Sequence, residues 1–425
     1  MRIAIVDYSG HAFPVHLARA LAAKGHDLLH LYFSEFQSPH GKLEKVKGDP
    51  ENLDIRPVSL GMDFPKYSFF KRRLHEIKIG KAFAAEIDAF KPDVVLAGNC
   101  PLDCVLQIGR STRHANRRFI FWQQDIYSTA ISRILGRKLG PVGKLIGRYY
   151  RGMERRILQM SDATIVISQD FVDSIRREFG ISTGNVHVIE NWAPLDEIPQ
   201  RPKNNSWAAD QGLTDKKVVL YSGTIGLKHD PQQILDLAHG LRNDADTRIV
   251  VISEGPFARW LGGEALAHGL DNLMVLPFQR FDAFPNVLGN ADITIAVLEP
   301  DAGAFSVPSK VLSYLCAGRP IVLSAPPENL AARIIETCKA GKVVEAGNRA
   351  AFVAAVRELI TNAELRAITG RNARAYAEMT FDIDVISTRF EAIFRDALMG
   401  LDATKRSTPI MVPAVLPPSS SSSSS

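Results

Sequence analysis

The stretch Val307-Pro-Ser-Lys-Val-Leu-Ser-Tyr-Leu-Cys-Ala-Gly-Arg-Pro320 has the composition of a short helix that leads directly into a strand. It predicts Pro308 in the first helical turn, the Ser309 hydroxyl as N-cap and Lys310 as a positive charge beside them. Gly318 marks the end of the helix. Because free N–H groups and partial positive charge meet at a helix N-terminus, this segment suits a diphosphate. A capped amphipathic helix of any α/β protein is the alternative.

Short apolar runs alternate with helix-length segments on both sides of this stretch, which is typical of buried parallel strands joined by helices. In the first half the predicted strands are Ile3–Asp7, Asp93–Ala97, Phe119–Trp122 and Ala163–Ser168. In the second half they are Val218–Ser222, Ile249–Ser253, Ile293–Leu298 and Ile321–Ser324. The pattern predicts an α/β fold with two doubly wound, Rossmann-like domains.

Three prolines and several polar residues interrupt both periodicities over residues 191–205, which predicts the linker between the domains. We therefore expect an N-terminal domain over residues 1–192 and a C-terminal domain over residues 206–384. Residues 385–400 read as a last amphipathic helix, and the serine-rich residues 403–425 as a disordered tail.

The composition disfavours three classes of protein: general nucleic-acid binders, metal- or disulfide-stabilised proteins and membrane-spanning proteins. The chain has 425 residues, 46% of them hydrophobic, and its 51 basic and 46 acidic residues give a net charge of +5, too even for a general nucleic-acid binder. The four cysteines include no Cys-x-x-Cys pair, so we expect neither a metal nor a disulfide, and a reducing, cytoplasmic compartment fits. No apolar run approaches the roughly 20 residues that span a bilayer.

A glycine turn follows the first predicted strand, in the order Asp7-Tyr-Ser-Gly-His11. At such a turn Gly10 allows a ligand to approach the backbone, and His11 can reach into a cleft. The alternative is an exposed loop histidine. No G-x-G-x-x-G fingerprint is present, so dinucleotide binding is not supported.

A single carboxylate follows the strand Phe119–Trp122, in Gln123-Gln-Asp-Ile-Tyr127. Open α/β sheets bind ligands at the carboxyl ends of their strands, which makes Asp125 our candidate acid or base for an acceptor hydroxyl. A helix cap is the alternative.

The second half repeats the pattern of strand, glycine loop and helix in Tyr221-Ser-Gly-Thr-Ile-Gly-Leu-Lys-His-Asp230. Gly223 and Gly226 keep the backbone open to a ligand, and Lys228 can join Lys310 in bracketing a diphosphate. A solvated surface lysine is the alternative for Lys228. The turn Ser253-Glu-Gly-Pro256 either forms the floor of the nucleotide pocket or is a plain turn.

The segment Arg133–Arg156 carries eight Lys or Arg against the single Glu154. Apolar residues recur in it at helical spacing: Val142, Leu145, Ile146, Tyr149, Met153 and Ile157. Such a helix either lies on an anionic membrane surface or packs its apolar side on the sheet while the charges stay solvated.

Taken together, these features resemble the GT-B glycosyltransferases of the large retaining family 4, in the branch that builds bacterial lipopolysaccharide, capsule and exopolysaccharide. The similarity spans roughly residues 1–400. Besides the two glycine loops it rests on an ordered set of short motifs: Gly25-His26, Val188-Ile-Glu-Asn-Trp192, Ser253-Glu-Gly-Pro256, Ala291-Asp292, Pro308-Ser-Lys and Gly318-Arg-Pro320.

The resemblance implies two domains facing a central cleft, a last helix that crosses back to the first domain, and metal-independent hexosyl transfer with retention. Relatives carry an arginine where this chain has Thr224, and two glutamates where it has Phe305 and Ser313; Glu299 and Asp301 are the nearest carboxylates. Together with Asp125, Lys228 and Lys310 are assigned to catalysis, as the pair that grips the diphosphate. The residues that we assign to donor binding are Gly223, Thr224, Gly226, Glu254, Gly255, Glu299, Ser309 and Ser313. Gly10 and His11 are assigned to the acceptor.

The function expected from this resemblance is transfer of a sugar from a UDP-sugar to a lipid-linked or oligosaccharide acceptor at the cytoplasmic face of the membrane, with no bound cofactor. A non-catalytic module that binds a nucleotide or a partner protein is the alternative, motivated by Phe305 and Ser313. A nucleotide-sugar epimerase is a third possibility, disfavoured because no cluster of carboxylates is apparent.

Overall fold

The computed structural model of the protein describes residues 1–36, 40–62, 69–226, 229–300 and 308–400. Within these ranges the chain forms two parallel sheets, each with helices on both faces. We call the parts built on the first and second sheet the N-lobe and the C-lobe.

The N-lobe is built on seven parallel strands in the order β3-β2-β1-β4-β5-β6-β7. The strands are β1 (Arg2–Asp7), β2 (Asp27–Phe33), β3 (Leu53–Val58), β4 (Val94–Gly98), β5 (Arg118–Gln123), β6 (Ala163–Val166) and β7 (Val186–Val188). The helices are α1 (Ala12–Ala23), α2 (Phe69–Phe90), α3 (Leu102–His114), α4 (Tyr127–Met160) and α5 (Gln169–Ser174), which continues into one π-helical turn over Ile175–Phe179.

The C-lobe is built on six parallel strands in the order β10-β9-β8-β11-β12-β13. They are β8 (Lys217–Ser222), β9 (Thr247–Ile252), β10 (Leu273–Leu276), β11 (Ile293–Val297), β12 (Ile321–Ser324) and β13 (Gly341–Val344). The helices, preceded by α6 (Ser206–Asp210), are α7 (Pro231–Gly240), α8 (Pro256–Ala267), α9 (Phe284–Asn290), α10 (Ser309–Cys316), α11 (Leu330–Cys338), α12 (Arg349–Thr361), α13 (Ala363–Thr380) and α14 (Ile383–Met399).

Both sheets reverse their winding direction once, between β1 and β4 in the N-lobe and between β8 and β11 in the C-lobe. Open α/β sheets bind ligands outside such points, so the fold directs attention to the loops after β1 and β8. These are the two glycine loops singled out in the sequence. The predicted fold class of two doubly wound domains is confirmed, whereas the residue boundaries of the domains stay a prediction.

The last helix crosses from the C-lobe back to the N-lobe, as predicted. The α14 carboxylate of Glu391 accepts from Nε2 of the His26 ring at 3.1 Å, and Lys24 Nζ donates to Thr388 Oγ1 at 2.5 Å. Phe390, fully buried, packs edge-on against Trp122 of β5 and against Trp192. Trp192 belongs to the crossing segment, by which we mean residues 189–205 between β7 and α6. One buried apolar cluster therefore runs from the N-lobe through α14 into the C-lobe.

The basic segment forms a helical hairpin within α4. Gly140 has φ 54° and ψ −126°, a backbone conformation that only glycine adopts readily, and it reverses the chain before Pro141. A Cβ on Gly143 would lie 2.0 Å from the Leu135 carbonyl oxygen, and one on Gly147 would lie 2.6 Å from Ser132 Cβ. The two arms therefore pack closely because glycine lines their contact. No helix in the described part of the chain is long and apolar enough to cross a membrane.

Candidate functional site

The glycine loop after β8 packs directly against the start of α10. Gly223 has φ 128°, and a Cβ there would lie 3.1 Å from Lys310 Cε. Any larger residue would displace the lysine, so glycine serves both the backbone conformation and the close approach. The structure thus brings together Gly223 and Lys310, which are 87 positions apart in the sequence.

The Lys310 amino group lies in a mainly apolar and aromatic setting. Its Nζ is 4.7 Å from the centroid of the Tyr221 ring and 3.2 Å from Nε2 of His229. Burial lowers the pKa of Lys310 to about 7, because a charge loses its hydration there. Among the described residues no carboxylate forms an ion pair with it. A half-buried lysine for which the described residues offer no carboxylate partner suits an anionic ligand that arrives with its own charge.

Two buried tyrosines and a serine fix the glycine loop. Tyr314 Oη accepts from the Ser222 N–H at 2.9 Å, and Tyr221 Oη donates to the Thr224 carbonyl oxygen at 3.0 Å. The Ile225 N–H donates to Ser253 Oγ at 3.3 Å. Thr224 itself is exposed. These contacts, together with the hydrogen bond that the Gly223 N–H donates to the Ile252 carbonyl oxygen at 2.9 Å, hold the backbone of the loop in place.

The turn after β9 neighbours this loop through Ser253. Gly255 has φ 103°, which favours glycine, and it directly precedes α8. Glu254 is exposed, and its Oε1 accepts from the Phe278 N–H at 3.1 Å. Both residues thus lie at the carboxyl edge of the sheet, and their role in donor binding stays a prediction.

The start of α10 differs from the sequence prediction. Pro308, not Ser309, occupies the N-cap position, and no side chain caps the helix. Pro308 has an extended ψ of 106°, so Ser309 is already the first helical residue and its exposed hydroxyl cannot act as the N-cap. At the C-terminal end of α10 the prediction is confirmed, because Gly318 follows the helix with a left-handed φ of 63°.

The remaining donor candidates are placed as follows. Ser313 is half-buried on α10, one turn after Lys310, and Glu299 is half-buried two residues after β11. Gly226 lies in the glycine loop, where its N–H donates to Nδ1 of His229 at 3.0 Å. Lys228, Asp301 and Phe305 lie outside the described residues.

In the N-lobe, Asp7 organises the glycine turn after β1. Its carboxylate is fully buried and accepts from the His11 N–H at 2.6 Å, the Ser9 N–H at 3.3 Å and Asn99 Nδ2 at 3.0 Å. Burial raises the pKa of Asp7 to about 7, although these hydrogen bonds lower it. Asn99 follows β4, so the contact joins the two strands of the winding reversal.

The two acceptor candidates lie in this turn. Gly10 has φ 68°, and a Cβ there would lie 2.8 Å from Leu43 Cδ1. His11 is half-buried, and its ring stacks near Phe13 with centroids 6.1 Å apart. Sequence reasoning missed Asp7, although a carboxylate that ends a buried strand before a glycine turn is a usable signal.

Asp125 lies in the short connection between β5 and α4 and is half-buried. It does not occupy the N-cap position, which is Ile126. Glu154, a fully buried residue of α4, holds this connection in place at both of its ends. In the sequence it was noted only as the single acidic residue of a basic segment. Its Oε1 accepts from Gln123 Nε2 at 2.9 Å, and its Oε2 accepts from the Ser128 N–H at 3.0 Å. Burial raises the pKa of Glu154 to about 7.

The α4 hairpin divides the predicted apolar stripe between two environments. Met153 and Ile157 are buried against the N-lobe, whereas Val142, Leu145 and Tyr149 are 60%, 65% and 50% exposed. Leu139, at the reversal, is also 50% exposed. Exposed arginines follow on the same arm, at positions 148, 151 and 155. The hairpin tip therefore exposes apolar side chains and its second arm exposes basic ones, which are the components of an interfacial anchor.

Among the described residues, no group of three or more His, Cys, Asp or Glu side chains is arranged to hold a metal ion. Metal independence, like the absence of a cofactor, stays a prediction.

Two family models match the chain in the order of the two lobes. "Glycosyltransferase Family 4" matches residues 13–197, and "Glycosyl transferases group 1" matches residues 204–376. The chain is 26% identical to WcaI of Escherichia coli K12, a candidate colanic acid biosynthesis glycosyl transferase, over 71% of this chain and 73% of WcaI. It is 24% identical to glycogen synthase of Mycobacterium tuberculosis H37Rv over 91% of this chain and 90% of that protein.

Solved structures share the fold. Anabaena HepE in complex with UDP-glucose superimposes with a TM-score of 0.67 at 15% identity, over 94% of this chain and all of HepE. At that identity the likeness concerns the architecture of two lobes around a cleft.

Proposed function

Because the chain belongs to the family 4-like glycosyltransferases of the GT-B fold, we propose that it transfers a hexose, with retention and without a metal, from a UDP-sugar to a lipid-linked or oligosaccharide acceptor. We place this reaction in bacterial surface polysaccharide biosynthesis, on the cytoplasmic face of the membrane. Support for the pathway comes from WcaI, and support for UDP from the ligand of HepE.

The observation that carries the proposal is the contact between Gly223 and Lys310 at the winding reversal of the C-lobe. The departing nucleoside diphosphate gains negative charge, which we propose that the Lys310 ammonium and the N–H groups at the start of α10 stabilise. Lys228, from the same glycine loop, is proposed as the second cation. These groups supply the positive charge that other enzymes obtain from a metal.

On the acceptor side we assign Asp125 as the group that takes the proton of the attacking hydroxyl, with Glu154 holding its loop in place. Gly10 and His11 are proposed to line the acceptor site. In the retaining family that the chain resembles, the donor phosphate is the alternative base. The Asp125→Asn variant separates the two routes, because only the first predicts a large loss of kcat with little change in donor KM.

The α4 hairpin is the proposed membrane contact. Its exposed tip of Leu139, Val142 and Leu145 can enter the headgroup region, while the arginines at 148, 151 and 155 meet anionic lipid. Each basic residue near such a surface contributes about 1 kcal/mol. A lipid-linked acceptor would then be presented beside the N-lobe.

The test incubates purified protein with a panel of nucleotide sugars, using bacterial membrane lipid extract in one arm and a soluble oligosaccharide in the other. Release of free nucleotide and labelling of the acceptor are followed together, and NMR of the product gives the anomeric configuration. We expect one UDP-sugar to label one acceptor class with retention. Lys310→Met should abolish labelling, and Lys342→Met, which removes a partly exposed lysine of β13, should not.

Other outcomes contradict parts of the proposal. Nucleotide binding without labelled acceptor in either arm favours the non-catalytic module, for which the residues Phe305 and Ser313 in the sequence are the motivating observation. A changed sugar without an acceptor favours an epimerase. Product of inverted configuration excludes the retaining mechanism.

A further inference from the structure

His229 makes contacts with both parts of the donor site. Its Nδ1 lies 3.0 Å from the Gly226 nitrogen, and its Nε2 lies 3.2 Å from Lys310 Nζ. The imidazole therefore joins the glycine loop to the lysine at the start of α10. No role was assigned to this histidine from the sequence.

The first contact determines the second. A backbone N–H can only donate, so Nδ1 must present its lone pair to Gly226 and carries no proton. The proton of the neutral ring is then on Nε2, which makes Nε2 a donor toward Lys310. A charged ammonium has no lone pair and cannot accept this hydrogen bond, whereas a neutral amine can. The geometry therefore fits an uncharged Lys310.

The surroundings of Lys310 agree with this assignment. Tyr221, from the end of β8, faces the amine with its ring, and Gly223 contacts its Cε. On α10 itself, Tyr314 Oη is bonded to Ser222, and beyond β11 the nearest carboxylate in sequence is Glu299. Burial brings the pKa of Lys310 to about 7, and no described carboxylate pairs with it to reverse that effect.

We propose that His229 holds Lys310 as a neutral amine in the empty protein, and that binding of a nucleoside diphosphate releases the amine because the anionic ligand favours uptake of a proton from solvent by Nζ. This inference rests on the proposed donor site. Donor binding then involves the transfer of one proton, from solvent to Nζ, and no covalent bond to carbon or phosphorus changes. The resulting ammonium moves from Nε2 of His229 to the phosphate oxygens. His229 is thus a positioning residue, and donor binding is coupled to proton uptake.

Isothermal titration calorimetry with UDP-glucose measures this coupling. Its diphosphate does not titrate near neutrality, so protons taken up belong to the protein. Titrations at pH 8 in buffers of different ionisation enthalpy should show uptake of close to one proton per bound ligand, falling toward zero at pH 6. Affinity should fall up to about tenfold per pH unit above 7.

Two variants test whether the proton taken up on ligand binding goes to Lys310 and whether its uptake depends on His229. Lys310→Met should bind weakly, with no uptake at pH 8. His229→Asn places a side-chain oxygen where Nδ1 lies, which keeps an acceptor for the Gly226 N–H but removes the donor toward Nζ. We expect this variant to retain the thermal stability of the wild type and to lose at least half of the proton uptake, whereas a merely structural histidine would leave uptake unchanged.

The possible failures are distinguishable. If UDP-glucose and UDP both fail to bind, the donor assignment is wrong and this inference falls with it. If UDP-glucose binds without proton uptake at pH 8, only the inference is overturned. Uptake that persists unchanged in His229→Asn overturns the part of the inference that concerns His229.

Discussion

At the residue scale, Lys310 combines two opposing effects, since burial disfavours its charge while a phosphate ligand requires it. Replacing Lys310 with Met keeps the length of the side chain and removes the amine. We expect nucleotide affinity to fall about 10- to 100-fold, the loss of roughly 1.5–3 kcal/mol that a hydrogen bond to a charged group contributes. Fluorescence or calorimetric titration with UDP measures it, with Lys342→Met as the matched control. Equal affinities in wild type and Lys310→Met would remove this residue from the site.

Glu154 predicts a dependence of stability on pH. Its folded-state pKa of about 7 lies above the ordinary value of 4.5, so the native protein keeps a proton that the unfolded chain releases. This contribution is fully present below pH 4.5 and is lost as the pH rises through 7, at up to about 1.4 kcal/mol per unit. Glu154→Gln should therefore flatten the decline of the unfolding free energy between pH 5 and 8, measured by urea denaturation.

The control is Glu345→Gln, which changes an exposed glutamate of the C-lobe and should leave the profile unaltered. Asp7 contributes a slope of the same sign, so the Glu154 variant flattens the profile without abolishing it. Parallel profiles for Glu154→Gln and wild type would mean that Glu154 is ionised in the folded protein throughout this range.

These residues also show how far a sequence predicts a site. Gly223 and Lys310 were found because glycine before a helix and lysine at a helix start each have a local signature. Asp7, Glu154 and His229 were missed, since their importance depends on contacts between elements and on burial, which no local spacing reveals. Ser309 was misplaced by one position because the proline before it takes the N-cap.

At the element scale, the α4 hairpin was predicted as one amphipathic helix. The helical periodicity and the charges were correct, but the apolar stripe is split because the chain reverses at Gly140. The signal for reversal was present in Gly140-Pro141 followed by Gly143 and Gly147. Only the packing of the two arms shows that these glycines serve a close contact.

This hairpin predicts membrane partitioning. Replacing Val142 and Leu145 together with Ser removes two exposed apolar side chains from the tip, and burial of each in a bilayer interface contributes about 1.5–3 kcal/mol at most. We expect binding to vesicles of phosphatidylglycerol and phosphatidylethanolamine to weaken at least about tenfold, measured by sedimentation. Leu266→Ser is the control, since Leu266 is 86% exposed on α8 of the other lobe.

The charges of the second arm are tested separately. Reversal of Arg148, Arg151 and Arg155 to Glu should also lower sedimentation, and more strongly at low salt. The same change of charge at three exposed arginines of the C-lobe, at positions 242, 259 and 371, serves as the control. If the two triple variants bind vesicles equally well, attraction to the membrane depends on the net charge of the protein and not on the hairpin.

At the scale of the whole molecule, alternation of apolar runs and helices was enough to predict two doubly wound sheets. The predicted central strands agree with the structure to within one or two residues at most ends, because central strands are apolar on both faces. Strands β2, β3, β7, β10 and β13 were not predicted. Partial burial explains β3, β7 and β13, but not β2, which is buried over most of its seven residues. The order of strands, and hence the position of each winding reversal, came from the fold and not from the pattern.

Phe390 tests whether the returning helix α14 stabilises the junction of the lobes. Its ring is fully buried between Trp122 and Trp192, at centroid distances of 5.0 and 6.0 Å, so Phe390→Ala leaves a cavity where the N-lobe, the crossing segment and α14 meet. We expect the unfolding free energy to fall by about 3–5 kcal/mol. Val385→Ala, at an exposed position of the same helix, should change it by less than about 0.5 kcal/mol. Because two tryptophans border the cavity, denaturation followed by their fluorescence reports on this junction directly, and similar values for the two variants would show that α14 contributes little to it.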